Sequence, residues 1–397
     1  MTSDNTYAEN LYKDLDALVK SNNAFYSKTH TLDGRKYRVF SYYKASYTDF
    51  TQNSALECRG IMFDITNESD ESDESRVILK SLPMEKFFNL NENPFTMDLD
   101  LTKVTQIYEK ADGSLISTYI HYGPTEDEEE SVADPKDSLM LKSKTSITSE
   151  HCTEAMKWLN NINNKQLKED LTVLARSGFT VNLEWCSPEQ RIVIAYEKPM
   201  LKVLNIRSHK DGSYRPDLIT DTLKKYMVES IAPEDPVSFI KSIPDLQDNI
   251  EGFVLYIKMH DGSERKVKVK TKLYFNKHEL LGNVKNPRSI YNIILDDQID
   301  DVRAQFHDDK VLIKMIDEMQ VKVSSIYNTC VSVVEKFYED NKSLCRRDFA
   351  IKGKSELEEL HFSLVMLKYS GKAVNYAEIL KNKWREFGII NSEELVM

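Results

Sequence analysis

YEKADGSLIS, residues Tyr108 to Ser117, decides how the first two thirds of the chain are read. One reading is an ordinary hairpin: a β-like run that ends in a lysine and turns through Asp112 and Gly113. The other makes Lys110 a nucleophile, held at a strand end where a nucleotide phosphate can reach it. K-x-D-G arises by chance in roughly one chain in ten of this length. The stretch does not choose by itself, so the choice falls to the residues around it.

With 397 residues, 41% of them hydrophobic, the chain is long enough for two or three domains with real cores. No window approaches 18 consecutive apolar residues, so no membrane-spanning helix is expected. The N-terminus lacks the basic start and apolar run of a signal peptide. It reads as an amphipathic helix with Tyr7, Leu11, Leu15 and Leu18 on one face. Five scattered cysteines without a C-x-x-C fit a reducing cytoplasm and argue against a disulfide framework or structural zinc. The eight histidines are dispersed and contain no H-E-x-x-H. A net charge of −11 seems to speak against nucleic acid, but ten of the acids lie in two runs, 68–75 and 126–130. Those runs read as solvated loops, and the rest of the chain balances at −1. A local basic groove is therefore compatible with the acidic total.

Outward from the opening stretch, short runs with β-branched or aromatic alternation follow one another from about Tyr37 to Tyr274. They are KYRVFSYY, CRGIMFDI, RVILKSL, QIYEKADGSLISTYIHY, LMLKSKTSI, TVNLEW, RIVIAY, LKVLNIRS, EGFVLYIKM and RKVKVKT. Between Ser149 and Arg176, Cys152, Met156 and Leu159, then Leu167, Leu171 and Leu174, predict two helices. After about Asn283 the period changes. Apolar residues from Leu312 to Phe337 recur every three or four positions, and ELEELHFSLVMLKY and YAEILKNKWREF add further helices. The fold class expected is α+β, an antiparallel-sheet domain with helices over 1–282, followed by an all-helical domain over 283–397.

Several short stretches line up with Lys110. ECRGIMFD carries Glu57, Arg59 and Gly60, and PMEKFFNLNENPF carries Lys86 and Phe88. LKSK carries Lys142 and Lys144, NLEW carries Glu184, IEGFVL carries Glu251 and Gly252, and KVKVK carries Lys268 and Lys270. This order resembles the covalent nucleotidyltransferase superfamily of ligases and capping enzymes. The long stretches YRVFSYYKASYTDF, ALECRGIMF and PMEKFFNLNENPFTM are similar to the phage T4-type RNA ligase 1 family within it. The resemblance spans roughly Tyr37 to Tyr274 and continues more loosely into the helical tail.

The resemblance implies an ATP-grasp-like ligase domain with a lysyl-adenylate at Lys110, ATP as substrate and Mg²⁺ or Mn²⁺ as metal. AMP then passes to an RNA 5′-phosphate, and a 3′-OH displaces it. A free lysine titrates near pH ~10.4, and burial or neighbouring cations favour the neutral amine that such an attack needs. Lys268, Lys270 and Lys144 are the cations the chain supplies for this. On a strand Lys266, Lys268, Lys270 and Lys272 share one face, which read alone is a solvated edge. The resemblance assigns Lys268 and Lys270 to the phosphates and leaves Lys266 and Lys272 out. By the resemblance Arg59 and Lys86 would grip the triphosphate. It also implies that Gly113 and Gly252 flank the nucleotide, that Tyr42 lies near it and that Phe88 is required. Tyr42 and Phe88 read equally as strand core.

Glu184 and Glu251 sit in apolar, strand-like surroundings, either as structural ion pairs or, by the resemblance, as ribose and metal contacts. Asp112 is a third metal candidate or a turn residue. Asp300, next to Asp301 at a helix start, is a metal candidate or a capping feature. KSLCRRDFAIKGK is a basic RNA contact or an exposed loop. The family's task implies tRNA cut in the anticodon loop as substrate, after an end-healing kinase and phosphatase. The protein would then be a monomer in infected-cell cytoplasm, with no membrane and with tRNA preference in the helical domain. The alternatives are a DNA ligase or guanylyltransferase using the same motifs, or a non-catalytic RNA-binding protein. Two departures from the family stand out: the acidic runs, and Lys272 and Leu273 where the family has an acid and a tryptophan.

Overall fold

A computed structural model describes residues 6–67, 77–123, 137–190, 194, 196–247, 250–272, 274, 286–307 and 309–383. The acidic runs 68–75 and 126–130, Leu273 and the end of YAEILKNKWREF lie outside the described residues. The chain forms two compact units: Met1–Tyr42 with Asp49–His278, and Tyr43–Thr48 with Glu279–Met397.

The first unit opens with helix α1 (Thr6–Ser21), whose Leu11, Leu15 and Leu18 are buried as their spacing predicts. The strands follow as β1 (Phe25–Leu32), β2 (Arg35–Tyr42), β3 (Ile61–Asp64), β4 (Ile78–Ser81), β5 (Phe88–Asn89), β6 (Val104–Glu109), β7 (Ser114–His121) and β8 (Ser138–Ser143). Helices α2 (Glu150–Leu159) and α3 (Lys165–Arg176) lead to β9 (Phe179–Cys186) and β10 (Met200–Ser208). After these come α4 (Asp221–Lys224), β11 (Ser230–Ile231), α5 (Pro236–Ser242), β12 (Gly252–Lys258) and β13 (Glu264–Lys270).

These strands build three sheets, ordered β1-β2-β3-β4, β10-β9-β7-β8 and β11-β6-β12-β13-β5. Every pairing is antiparallel except β13 with β5. Tyr12 of α1 packs edge-on against Phe40 and Phe63 of the first sheet. Tyr37, Val39 and Met62 of that sheet meet Tyr119 of the second. Leu159, Leu167 and Leu171 of α2 and α3 cover the second sheet through Ile116, Val181 and Leu183. Ile240 and Ile243 cover the third through Phe253, Leu255, Val267 and Val269. Because side chains alternate along a strand, burying Val267 and Val269 turns Lys266, Lys268 and Lys270 to the opposite face.

One alternative falls away and one expectation is corrected. β6 and β7 do not form a hairpin: β6 pairs with β11 and β12, and β7 with β8 and β9. Residues 110–113 therefore carry the chain from one sheet to another. RIVIAY is not a strand at its described positions, Ile194 and Tyr196. There the backbone N–H of Ile194 is spent on the Asp112 carboxylate at 2.6 Å, and not on a ladder.

The second unit contains α6 (Pro287–Leu295), α7 (Ile299–Gln305), α8 (Lys310–Asn341), α9 (Arg346–Glu356), α10 (Glu359–Tyr369) and α11 (Tyr376–Asn382), with no strand among its described residues. Cys330, Val334 and Phe337 of α8 pack with Phe349, Leu364 and Val365. The segment Tyr43–Thr48 joins this unit because the buried Asn328 amide of α8 bonds both backbone groups of Lys44. All five cysteines are free thiols. Among the described residues no helix is long and apolar enough to cross a membrane.

Candidate active site

Lys110 follows the last residue of β6, and its backbone N–H extends the ladder by donating to Gly252 at 2.9 Å. Its side chain crosses to the neighbouring strand's start, where Nζ donates to Glu251 Oε2 at 2.6 Å. The other carboxylate oxygen, Oε1, lies 3.0 Å from Lys270 Nζ. One buried carboxylate thus joins the end of β6 to the end of β13. Burial alone would raise the Glu251 carboxyl, but Lys110 and Lys270 outweigh it and hold the group below its ordinary range. The direct partner of Lys110 Nζ is therefore the Glu251 carboxylate, with Lys270 on its other oxygen.

Gly252 makes this junction possible. Its φ is +149°, and a Cβ there would stand 2.0 Å from the Val269 carbonyl oxygen, so only glycine lets β12 lie this close to β13. Gly113 plays the same part on the other side. A Cβ would meet the Trp185 carbonyl oxygen at 2.3 Å and Glu184 Cγ at 3.1 Å. Its absence lets the turn press against β9, and Ala111 is buried beside Cys186 and Val228.

Glu184 is the second carboxylate, on β9 opposite Leu115 of β7 and Lys202 of β10. Burial pushes its carboxyl up to about 7, Glu251 and Asp112 push the same way, and Lys110 and Arg59 pull it down. Asp112 is held by residues far along the chain. Its Oδ1 accepts from the Tyr274 hydroxyl at 2.9 Å, its Oδ2 from Ile194, and its own N–H donates to the Tyr196 hydroxyl at 3.0 Å.

The remaining cations lie over aromatic rings, Lys86 nearest to Phe88 at 5.1 Å. Lys144 Nζ sits 3.6 Å from the Tyr42 ring centre, and Lys86 Nζ 5.7 Å from it. The Arg59 guanidinium and Lys268 Nζ each lie 5.9 Å from the centre of Phe87. Phe88 is buried, stacked on Phe95 at 5.6 Å and edge-on to Phe50 at 5.8 Å, the strand-core arrangement its sequence allowed. Asp300 lies with Asp301 in the first turn of α7, in the second unit.

Three neighbours escaped sequence reasoning. Phe87, Tyr196 and Tyr274 occupy ordinary aromatic positions, and no spacing marks Tyr274 as the partner of Asp112 or as the ring 5.1 Å from Lys270 Nζ. Lys266 and Lys142 stand apart from the cluster. Lys266 is buried with Nζ 3.1 Å from the Tyr214 ring centre, and burial pushes it down to about 8. Lys142 is fully buried, donates to the Gly60 and Ser143 carbonyls, and is pushed down by burial to about 7.

No group of three or more His, Cys, Asp or Glu among the described residues is arranged to hold a metal. The pair Glu184 and Glu251 nevertheless suits a magnesium-like ion, which takes one or two carboxylates and completes its shell with water and phosphate.

The comparisons with known proteins agree along the chain. A family model for an RNA ligase domain matches residues 57–277, and one described as the T4 RNA ligase 1 C-terminal domain matches 282–387. A protein of Thermovibrio ammonificans named "Putative RNA ligase" is 27% identical over 289 residues, covering 70% of this chain and 68% of its own. A solved structure of a Naegleria gruberi RNA ligase mutant with ATP and Mn is 14% identical. It covers 67% of this chain and 83% of that one at a TM-score of 0.34, too low to equate the two folds element by element. With the first family model alone covering more than half of its residues, the chain belongs to the T4-type RNA ligase 1 family.

Proposed function

We propose that this protein is an ATP-dependent RNA ligase that uses Lys110 as its nucleophile and joins a 5′-phosphate to a 3′-OH. The observation that carries this reading is the buried Glu251 carboxylate gripping Lys110 and Lys270 at once, with Glu184 in the same field. In the first step Lys110 Nζ attacks the α-phosphorus of ATP. A P–N bond forms, the bond to the β-phosphate oxygen breaks, and pyrophosphate leaves. An oxygen of the RNA 5′-phosphate then attacks the adenylate phosphorus, the P–N bond breaks and Lys110 is freed; the 3′-OH finally attacks the RNA phosphorus and expels AMP.

For Nζ to attack, Glu251 must release it, and Lys270 keeps the carboxylate neutralised when it does. Lys268 and Lys270 face the charge that grows on the α-phosphate, and positioned cations lower that barrier most in a partly desolvated site. Arg59, Lys86 and Lys144 orient the departing pyrophosphate beside Tyr42, and Phe88 backs that wall. Glu184 and Glu251 would hold Mg²⁺ or Mn²⁺, with Asp112 and Asp300 as secondary candidates; bound metal supplies charge neutralisation at the phosphates. Residues 1–282 serve adenylyl transfer, and 283–397 supply preference for tRNA cleaved in the anticodon loop. Looped single strands suit recognition by side chains, with the 2′-OH separating RNA from DNA. The substrate ends would come from a kinase and phosphatase, and the enzyme would act as a monomer in the cytoplasm of an infected cell.

The test is intact mass after incubation with ATP and Mg²⁺, with peptide mapping of the adduct and circularisation of a 5′-phosphorylated RNA. AMP on Lys110 and a circular product are expected. Label retained from GTP alone, or an adduct on another side chain, rejects the reading.

A further inference from the structure

Arg207 of β10 is buried, with 3% of its surface exposed. A guanidinium has five N–H donors in a rigid plane. Five hydrogen bonds leave Arg207: Nη1 and Nη2 grip Glu57 at 2.7 and 2.8 Å, Nη1 also donates to the Pro83 carbonyl at 2.8 Å, and Nε and Nη2 donate to Gly212 at 3.0 and 2.7 Å. None of these partners belongs to the Lys110 and Glu251 junction. Two of them begin short segments that do belong to the site. Glu57 stands two residues before Arg59, and Pro83 three before Lys86. The same two segments are tied to each other, Lys86 N–H to the Leu56 carbonyl at 2.8 Å and Arg59 Nη1 to the Met84 carbonyl at 3.4 Å.

We propose that Arg207 is a positioning residue for the adenylyl-transfer step: by clamping Glu57 and Pro83 to β10 it sets the spacing of Arg59 and Lys86 for a triphosphate. The inference rests on the proposed ligase reading and deepens it. Misplacing a phosphate-gripping group by an ångström costs rate even when the chemistry is untouched. Arg59 and Lys86 are assigned to the pyrophosphate, which is present only when ATP charges the enzyme. Sealing of RNA that already carries AMP on its 5′-phosphate releases AMP and has no departing pyrophosphate. Damage to the clamp should therefore divide the two reactions, whereas loss of a merely structural residue would depress both.

The experiment uses the full chain as Arg207→Lys and Glu57→Gln. A lysine keeps the charge but cannot hold Glu57, Pro83 and Gly212 together; glutamine removes the charge from one arm only. For each variant one measures the rate of lysyl-AMP formation against ATP concentration, sealing of pre-adenylylated RNA without ATP, and thermal melting. Arg207→Lys should lose about 10-fold or more in kcat/KM for adenylylation while keeping sealing of pre-adenylylated RNA within about 3-fold of the parent. If Arg207→Lys does not melt cooperatively, Glu57→Gln carries the test, with adenylylation expected to fall at least about 5-fold and sealing to stay within about 1.5-fold of the parent. Equal loss in both reactions, or no loss in either, overturns the clamp. A parent protein that seals pre-adenylylated RNA but never takes AMP from ATP sinks the ligase reading as well, and the two failures are distinct.

Discussion

Two lysines of the first unit, one half-buried and one fully buried, have opposite fates. Lys110 ends a strand of the third sheet with a carboxylate 2.6 Å from its Nζ, and that carboxylate in turn meets Lys270. Lys142 lies inside a strand of the second sheet, where its acceptors are backbone carbonyls of Gly60 and Ser143 and burial pushes it down to about 7. The fold spends an anion to keep one lysine in place and lets the other approach neutrality. A buried amine can satisfy its hydrogen bonds either way, but only a lysine beside charge that can be rearranged is ready for transfer chemistry. The contrast predicts that Lys110 matters to reaction and Lys142 to stability and its dependence on pH.

The hardest break comes from Lys110→Ala. Adduct formation with ATP should fall below detection by intact mass, while far-ultraviolet circular dichroism and cooperative melting persist, because Glu251 keeps Lys270 as a partner. An adduct in that variant would move the nucleophile elsewhere. Glu251→Gln should come next. It removes two ion pairs at once, so adenylylation is expected to drop about 10²–10³-fold and stability by about 1–3 kcal/mol, read from denaturant midpoints.

Glu184→Gln separates the two roles by sign. A carboxyl raised from 4.5 to about 7 keeps its proton in the folded state after the unfolded chain has lost it. Stability therefore falls as pH rises through that window, and the full cost is present above about 7. At pH 8 without metal the variant should be more stable than the parent by about 1–3 kcal/mol, yet adenylylate at least about 10-fold more slowly. A variant less stable at pH 8 would show that Glu184 is paired as a structural ion.

The smallest effect on activity is at Lys142. Its folded form sheds a proton near 7 that the unfolded chain keeps to about 10.5, so the parent should gain stability as pH rises between those values. The slope from this one group is about 1.4 kcal/mol per pH unit, and Lys142→Met should flatten it. An unchanged slope in urea titrations at pH 7.5, 8.5 and 9.5 would mean that Lys142 stays charged.

Much of this site was legible because chain chemistry constrains single strands. The alternation in RKVKVKT set Lys268 and Lys270 on one face, since Val267 and Val269 had to enter the core. The spacing of Cys152, Met156 and Leu159 gave a helix for the same kind of reason. RIVIAY failed because a short apolar run can pack over a turn as readily as in a sheet, and the Asp112 carboxylate took the Ile194 N–H. The hairpin alternative for the D-G pair fell away, since the close approach that requires Gly113 comes from β9 and not from a partner strand next to it in sequence.

The local sequence by itself settled which residues could carry charge, which faces of strands and helices were apolar, and which stretches mark the family. Those properties depend on side-chain type and a backbone period. Tertiary structure alone decided that Glu251 would hold Lys110 and Lys270, that Lys266 would be buried on Tyr214, and that Arg207 would reach Glu57. Each of those contacts joins residues far apart in the chain. Its energy depends on distance and burial, which exist only once the sheets have met.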